Sequence, residues 1–153
     1  MHSVRVSVKA IVLVDGCILL ARHRDRHGDW YSLPGGGQEH GETVEEAVRR
    51  ECLEETGFRI RLGPLMFVRD YIAAHHEFAD EDQGAHQVEL MFHCQLLDEE
   101  QDLAGRVFDQ MQTGVEWIEL SRLATCRLYP QAVARILANG LPTGGPVYLG
   151  DVN

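Results

Sequence analysis

Three glutamates lie on the inward side of a segment whose residue spacing predicts a helix. At about 100° per residue, the apolar stripe of Val44 and Val48 continues to Glu51 and Glu55, and Glu54 lies at its flank. Burial of an unpaired carboxylate costs several kcal/mol, and clustered carboxylates repel one another unless a cation binds them. Because oxygen ligands favour a hard ion, we expect a Mg²⁺ site here, with Mn²⁺ as the alternative.

A run of three glycines, Gly35–Gly37, comes shortly before this segment. Because glycine has no Cβ, the backbone can approach a metal ion and a phosphate group closely at these positions. Aromatic residues on either side of the segment are candidates for stacking on a base. Trp30 is the first candidate, with Tyr31 and Tyr71 as the others. Packing of Trp30 in the core or at its rim is the equal alternative.

A small basic cluster contrasts with the acidic chain around it. It consists of Arg22, His23, Arg24 and Arg26, whereas the chain has 24 acidic residues, 14 Lys and Arg, and a formal net charge of −10. The cluster either faces a polyphosphate or forms a solvated strand end, and both interpretations stay open. A strongly negative chain repels phosphate backbones, so no nucleic-acid partner is expected. A small phosphorylated substrate is compatible with this charge when a cation mediates the contact.

Apolar residues that alternate along the chain predict the strands that position these groups. Residues 4–14 alternate with period two, and the Asp15-Gly16 pair is a strong hairpin signal before a second strand at 17–21. The glycine run is expected to be a loop, and Gly63-Pro64 is expected to separate two strands. The remaining strands are predicted at 29–33, 58–62, 65–73, 88–97 and 114–118.

Two helices are predicted between these strands. Thr43 and Glu46 form a capping box at the start of the first helix, which ends at Gly57. The second helix covers residues 131–138. Because hairpins exclude a purely parallel sheet, we predict an α/β (α+β) fold in a single domain, residues 1–153. Its mixed β-sheet lies between helices that cover both faces, as in an α/β/α sandwich.

One pattern in this region is specific to a known family. It is Gly-x5-Glu-x7-Arg-Glu-U-x-Glu-Glu-x-Gly-U, where U is a bulky apolar residue, and residues 36–58 match all seven fixed positions. The chain therefore resembles the Nudix hydrolases. The one departure is a cysteine at the first U position, which packs as a small hydrophobic residue. In chain order the residues at the named positions of the pattern are Gly36, Glu42, Arg50, Glu51, the departing Cys52, Glu54, Glu55, Gly57 and Phe58.

The resemblance implies roles for the residues of this box. Its metal ligands would be Glu51, Glu54 and Glu55, together with the backbone carbonyl of Gly35. A further pair matches residues that orient the site. The expected catalytic group is thus Glu51, Glu54, Glu55, Arg50 and Glu42. Which carboxylate accepts the proton stays open between Glu51, Glu55 and a glutamate outside the box.

Other residues are candidates for contact with the substrate or the metal ion. The expected substrate-binding group is Trp30, Arg22, Arg24, Gly36 and Gly37. A ligand from outside the box would come from Glu89 or Glu116. Each of these two is expected, by about two to one, to face solvent instead.

The activity implied by the resemblance is Mg²⁺-dependent hydrolysis of a phosphoanhydride bond in a nucleoside diphosphate linked to another group. Nucleoside diphosphate sugars or ADP-ribose and nucleoside triphosphates are comparable candidate substrates, because no subfamily motif is complete in the sequence. Two alternatives stay open. One is a catalytically silent nucleotide-sensing module of the same fold, and the other is an RNA 5′-end pyrophosphatase.

The cysteines and the hydropathy pattern predict the setting of the protein. The four cysteines lie more than thirty residues apart without a CxxC pair, which is typical of reduced thiols. No stretch approaches the ~20 apolar residues of a membrane helix. We therefore expect a cytoplasmic protein that acts on a small nucleotide without a membrane partner. A homodimer is left open beside the monomer.

Overall fold

The computed structural model describes residues 2–98, 100–102 and 112–153. These residues form strands, two α-helices and two 3₁₀ helices, at Ala73–His75 and Leu120–Thr125. In chain order the strands and α-helices are β1 (Arg5–Val14), β2 (Cys17–Asp25), β3 (Gly28–Ser32), β4 (Gly35–Gly37), α1 (Val44–Thr56), β5 (Ile60–Ile72), β6 (His86–Leu96), β7 (Gln112–Glu119), β8 (Leu128–Tyr129), α2 (Gln131–Leu137) and β9 (Tyr148–Asp151).

The sheet is mixed, and its two halves share β1. The strand order is β8-β3-β2-β1-β6-β5-β9, with β4 paired to β1 and β7 paired to β2. Most of β1 pairs in parallel with β6, whereas its end forms an antiparallel hairpin with β2. The turn residues Asp15 and Gly16 both have positive φ, at 50° and 77°, as the predicted type of hairpin turn requires.

The two α-helices cover opposite faces of the sheet, because side chains alternate along each strand. From β1, Val8 and Val12 pack in one apolar cluster with Val48 of α1. Ile11 packs instead in a second cluster with Leu137 of α2. The predicted mixed sheet between helices is confirmed.

The start and end of α1 are determined locally, as the sequence predicts. The Thr43 N–H donates to the Glu46 carboxylate at 2.7 Å, and the Glu46 N–H donates to the Thr43 hydroxyl at 3.1 Å. Such a cap contributes about 1 kcal/mol to stability. At the other end Gly57 has a φ of 78°, and its N–H donates to the Leu53 carbonyl. The apolar residues Ala47, Val48 and Cys52 pack toward the sheet, and the same face of the helix buries Glu55.

Several predicted boundaries are wrong. The glycine run is not a loop but strand β4, which pairs with β1. Gly63 and Pro64 do not separate two strands, because β5 continues through them with a shift in its register to β6; proline, which lacks an N–H, is tolerated at such an irregularity. The second strand extends to Asp25 rather than ending at residue 21. β8 and β9 are too short to leave a periodic signal.

The cysteines are free thiols, as their spacing predicts. Burial raises the pKa of Cys52 to about 12 and that of Cys94 to about 11, so both are protonated at neutral pH. Across the described parts of the chain, no helix combines the length and the apolar character needed to cross a membrane.

Candidate active site

Arg50 is the centre of the ion-pair network on α1. Its Nε and Nη2 donate to the two oxygens of Glu42 at 2.6 and 3.0 Å, which is the bidentate geometry of the stronger guanidinium–carboxylate pairs. Its Nη1 donates to Glu51 at 3.0 Å and to Glu54 at 3.3 Å, and Nη2 also reaches the Gly37 carbonyl at 3.1 Å. Arg50 therefore holds the box carboxylates and the glycine strand together.

The electrostatic environment differs among these carboxylates. Hydrogen bonding to Arg50 lowers the pKa of Glu42. Burial raises the pKa of Glu51, and the hydrogen bond and charge of Arg50 oppose that shift. The side chain of Glu51 is 15% exposed, whereas that of Glu54 is 37% exposed. The site is therefore buried where Glu51 lies against β4 and is open to solvent at Glu54.

The glycine strand β4 lies directly against two of the three box glutamates. The Gly35 N–H donates to Oε2 of Glu55 at 3.1 Å, and Glu55 is only 6% exposed. A Cβ added at Gly36 would lie 2.6 Å from the Glu51 carboxylate. Glycine at position 36 therefore leaves the space that the Glu51 carboxylate occupies.

The other face of β4 is covered by cationic side chains, because successive positions of a strand face opposite sides. Lys9 of β1 lies opposite Gly35 in the ladder. A Cβ at Gly35 would overlap the Lys9 side chain, and a Cβ at Gly37 would overlap the Arg5 guanidinium. β4 is therefore a thin partition with carboxylates on one face and cations on the other.

The donor set at the box suits a hard divalent cation, since it consists of carboxylate and backbone oxygens. One nitrogen of Arg50 contacts both Glu51 and Glu54, so these two carboxylates already reach a common positive charge. Within residues 2–98, 100–102 and 112–153, no three acidic, histidine or cysteine side chains converge as a ready-made metal site. Glu51, Glu54 and Glu55 fit a cation by their chemistry and proximity, and they would turn from their present partners to bind it.

A cavity of about 500 Å³ opens on the cation-bearing side of β4. The Trp30 ring forms part of its wall and stacks on His23, with centroids 4.1 Å apart and the planes 17° from parallel. Phe78 lies against the same indole at 5.9 Å, and Tyr71 lines another part of the cavity. Trp30 Nε1 is buried without a hydrogen-bond partner in the described structure. Aromatic walls of this kind suit a flat base.

The cavity also contains a buried ion pair, which corrects one sequence-based expectation. Glu89 was expected to face solvent, but it is 5% exposed and accepts a hydrogen bond from Arg69 Nε at 2.5 Å. Arg69 is held further by the Val152 carbonyl and the Asn153 side chain. Burial acts to raise the pKa of Glu89, but the charges of Lys9 and Arg69 outweigh it and hold that pKa below its ordinary value. Alternation along β6 correctly predicted that Glu89 lies on the face opposite the apolar residues, but that face lines a cavity instead of facing solvent.

Some predicted substrate-binding residues lie apart from the box and the cavity. Arg22 pairs with Glu116 at 2.6 Å, and the Tyr31 hydroxyl donates to the same carboxylate at 3.2 Å. These side chains occupy the face of β2 and β3 opposite to that of Trp30. Arg24 pairs with Asp29 at 2.8 Å, and its side chain is largely exposed. Of the predicted candidates, the structure brings Trp30 and Tyr71 to the cavity and Gly36 and Gly37 to the box.

Sequence reasoning missed Lys9 and Arg69 as components of this site, whereas His23 was a member of the basic cluster that the sequence singled out. Lys9 was visible only as a polar residue in an alternating strand, and Arg69 only as a charge within an apolar one. Their meeting depends on the parallel register of β1 with β6 and the antiparallel register of β6 with β5. No spacing along the chain encodes those registers directly.

Comparisons with known proteins agree with this geometry. Residues 3–139 match the NUDIX domain family. The nucleoside triphosphatase NudI of Salmonella arizonae is 35% identical over 96 residues, which cover 59% of this chain and 67% of that protein. A MutT NUDIX hydrolase from Burkholderia pseudomallei has a TM-score of 0.66 at 28% identity and covers 86% of this chain and 95% of its own. A NUDIX hydrolase from Nitrosomonas europaea has a TM-score of 0.68 at 22% identity, over 87% and 86% of the two chains. The chain therefore belongs to the Nudix hydrolase family.

Proposed function

We propose that this protein hydrolyses a phosphoanhydride bond of nucleoside triphosphates in a reaction that requires Mg²⁺, for which Mn²⁺ can substitute. The observation that carries the proposal is the partition formed by β4. The box carboxylates lie on one face of it, and on the other face lies a cavity with aromatic walls, whose charged side chains include Lys9 and Arg69. A substrate that spans this partition would have a polyphosphate at one end and a base at the other.

The choice of triphosphates over nucleoside diphosphate sugars rests on the relative that shares 35% identity, which is described as a nucleoside triphosphatase. The charge of the chain is compatible with a triphosphate substrate, provided that local contacts bind the phosphates. A net charge of −10 disfavours long-range attraction of a polyanion, so the binding energy has to come from local contacts. A bound divalent cation and the cations above β4 would provide such contacts.

Within this proposal, Glu51, Glu54 and Glu55 hold the divalent cation, and the Gly35 carbonyl joins them. When bound, such a cation neutralises the charge that develops on the phosphate oxygens. Arg50 holds Glu51 and Glu54 within reach of a common site, and Glu42 holds Arg50 in turn through two hydrogen bonds. Arg50 and Glu42 are thus positioning residues, and they act through the box glutamates.

The test is incubation of the purified protein with Mg²⁺ and a substrate panel, followed by mass analysis of the products. The panel contains ribo- and deoxyribonucleoside triphosphates, nucleoside diphosphate sugars, ADP-ribose and a 5′-triphosphorylated RNA. We expect triphosphates to be turned over with the highest kcat/KM, and the Glu54→Gln/Glu55→Gln double variant to remove that turnover. Preference for a diphosphate sugar or for the RNA would contradict the triphosphate assignment. No turnover of any member would contradict the proposed activity as a whole.

A further inference from the structure

Lys9 occupies the junction between the box and the cavity. It lies opposite Gly35 in the β1–β4 ladder, and its side chain is so close to that glycine that an added Cβ would lie 2.7 Å from Lys9 Cδ. From there the side chain lines the cavity that also contains Glu89 and Trp30. A group bound by Lys9 would therefore lie between the box glutamates and the aromatic wall.

The charge of Lys9 acts on both sides of this junction. It opposes the rise that burial causes in the pKa of Glu51. Together with Arg69 it also outweighs the effect of burial on the pKa of Glu89. Coulombic effects of this kind fall with distance, so the Lys9 ammonium is near enough to affect the box and the cavity floor at once.

Lys9 has no close ion-pair partner in the part of the chain that the structure describes, although the carboxylates of Glu51 and Glu89 lie near enough to be affected by its charge. Within the described residues it forms no ion pair, whereas Arg69 in the same cavity is paired with Glu89 and Arg50 at the box is paired with Glu42.

The cavity is lined by the cationic side chains of Lys9 and Arg69 and by the carboxylates of Asp25, Glu81, Asp82 and Glu89. Arg69 is paired with Glu89, Asp25 is paired with Arg127, and Asp82 accepts a hydrogen bond from the Tyr71 hydroxyl. Lys9 is therefore a half-buried ammonium that faces the cavity without an ion-pair partner among the described residues, and such a group is suited to bind an anion.

We propose that the Lys9 ammonium binds the phosphate group joined to the nucleoside, so that Lys9 fixes where the substrate changes from polyphosphate to nucleoside. This inference rests on the proposed function and deepens it by assigning a substrate contact. The order along the site carries the assignment. Box carboxylates lie on one side of β4, Lys9 lies over Gly35, and the aromatic wall begins with Trp30, five positions before Gly35. The Arg22 and Arg24 side chains, whose carboxylate partners lie elsewhere, do not provide this contact.

The experiment measures binding without turnover. Equilibrium dissociation constants are determined in chelator for AMP, GMP, CMP and UMP and for the four corresponding nucleosides. Wild-type protein is expected to bind at least one monophosphate more tightly than its nucleoside. Lys9→Met is expected to lower the affinity for that monophosphate by about tenfold to a hundredfold, which is the range of one charge-assisted hydrogen bond. Nucleoside binding should stay within twofold of wild type, and Lys9→Arg should restore most of the monophosphate affinity.

Arg61→Met is the matched control, because it also removes one positive charge, from an exposed position on β5. It should leave both ligand series unchanged. Monophosphate affinity within twofold of wild type in Lys9→Met overturns the assignment, and so does a wild-type protein that binds monophosphates no better than nucleosides. Because no hydrolysis is needed, failure of the substrate panel above would contradict the proposed function separately from this result.

Discussion

At the scale of single residues, the three box glutamates differ in partner and burial but are expected to act as one unit. Replacing Glu51, Glu54 or Glu55 by Gln keeps the shape of the side chain and removes one charge from the cation site. We expect kcat/KM to fall by on the order of 10²–10⁴. Stability in chelator should hold or rise, because repulsion among the carboxylates is relieved. The measurement is kcat/KM across a Mg²⁺ titration, with thermal melts in chelator.

Glu45→Gln is the control on the same helix. Glu45 is exposed and pairs only loosely with Arg49, at 3.6 Å, so turnover should change little. If Glu51→Gln and Glu55→Gln both stay within a few-fold of wild type at saturating metal, the catalytic role assigned to the box is wrong.

A second prediction at this scale tests whether the position of the Glu51 carboxylate matters when the residue itself is unchanged. Gly36→Ala places a methyl group 2.6 Å from the Glu51 carboxylate, which lies at the end of a flexible side chain. We expect the carboxylate to move, so that Mg²⁺ affinity falls by about tenfold or more while the melting temperature stays near that of wild type. Isothermal titration with Mg²⁺ and a thermal melt measure the two quantities. Gly144→Ala, which meets nothing within 4 Å, should change neither, and unchanged Mg²⁺ affinity in Gly36→Ala would contradict the assigned contact.

The box residues are predictable from the sequence because they lie on one capped helix, where spacing determines which side chains share a face. Glu51 and Glu55 illustrate this, since the 3.6-residue period alone puts them next to the apolar stripe. Glu89, Lys9 and Arg69 are different, because each comes from a separate strand. Strand alternation predicts which face a residue occupies, and only the register decides which other residues it meets.

At the scale of elements, the buried ion pair joins β5 to β6 inside the cavity. Arg69→Met leaves the Glu89 carboxylate buried without its partner, which typically costs about 3–5 kcal/mol. We expect a large drop in the urea midpoint, and partial recovery in the Arg69→Met/Glu89→Gln double variant. Arg24→Met, which breaks an exposed pair, should have a small effect. Equal effects of Arg69→Met and Arg24→Met would contradict the burial argument.

A second ion pair links the end of β2 to the segment before β8 and predicts a pH dependence. Arg127 donates to both Asp25 oxygens, at 3.1 and 2.9 Å, and this hydrogen bonding lowers the pKa of Asp25 to about 2. Because the folded pKa is the lower one, the unfolded chain takes up the proton first as the pH falls. The pair thus contributes fully above about pH 4 and is lost toward about pH 2.

Urea unfolding of wild type and Asp25→Asn over this range measures the effect. The stability difference between the two should be present at neutral pH and shrink steadily below about pH 4. If the difference in unfolding free energy between wild type and Asp25→Asn is the same at neutral pH and near pH 2, the Asp25–Arg127 pair is not its cause.

The long elements are the predictable ones. The alternating apolar residues of β1 are numerous enough to predict that strand, and the capping box of Thr43 and Glu46 predicts where α1 begins. β5 was divided wrongly because Gly63 and Pro64 usually mark a turn, and the neighbouring strands carry the chain through them. β9, with four residues, is held by its pairing with β5 rather than by any local preference.

At the scale of the whole molecule, net charge and metal binding predict two separable effects on stability. A chain of net charge −10 repels itself, so NaCl should raise the melting temperature by screening. MgCl₂ at the same ionic strength should raise it further, because an ion that binds only the folded state adds about 2.7 kcal/mol at a hundredfold excess over its dissociation constant. For a chain of this size that corresponds to roughly 5–10 °C. Thermal melts in the two salts measure the increment, which Glu51→Gln/Glu55→Gln should lose while it keeps the response to NaCl. If the double variant keeps the additional rise in melting temperature in MgCl₂, the ion binds elsewhere on this acidic surface. The box is then not the site at which Mg²⁺ stabilises the folded protein.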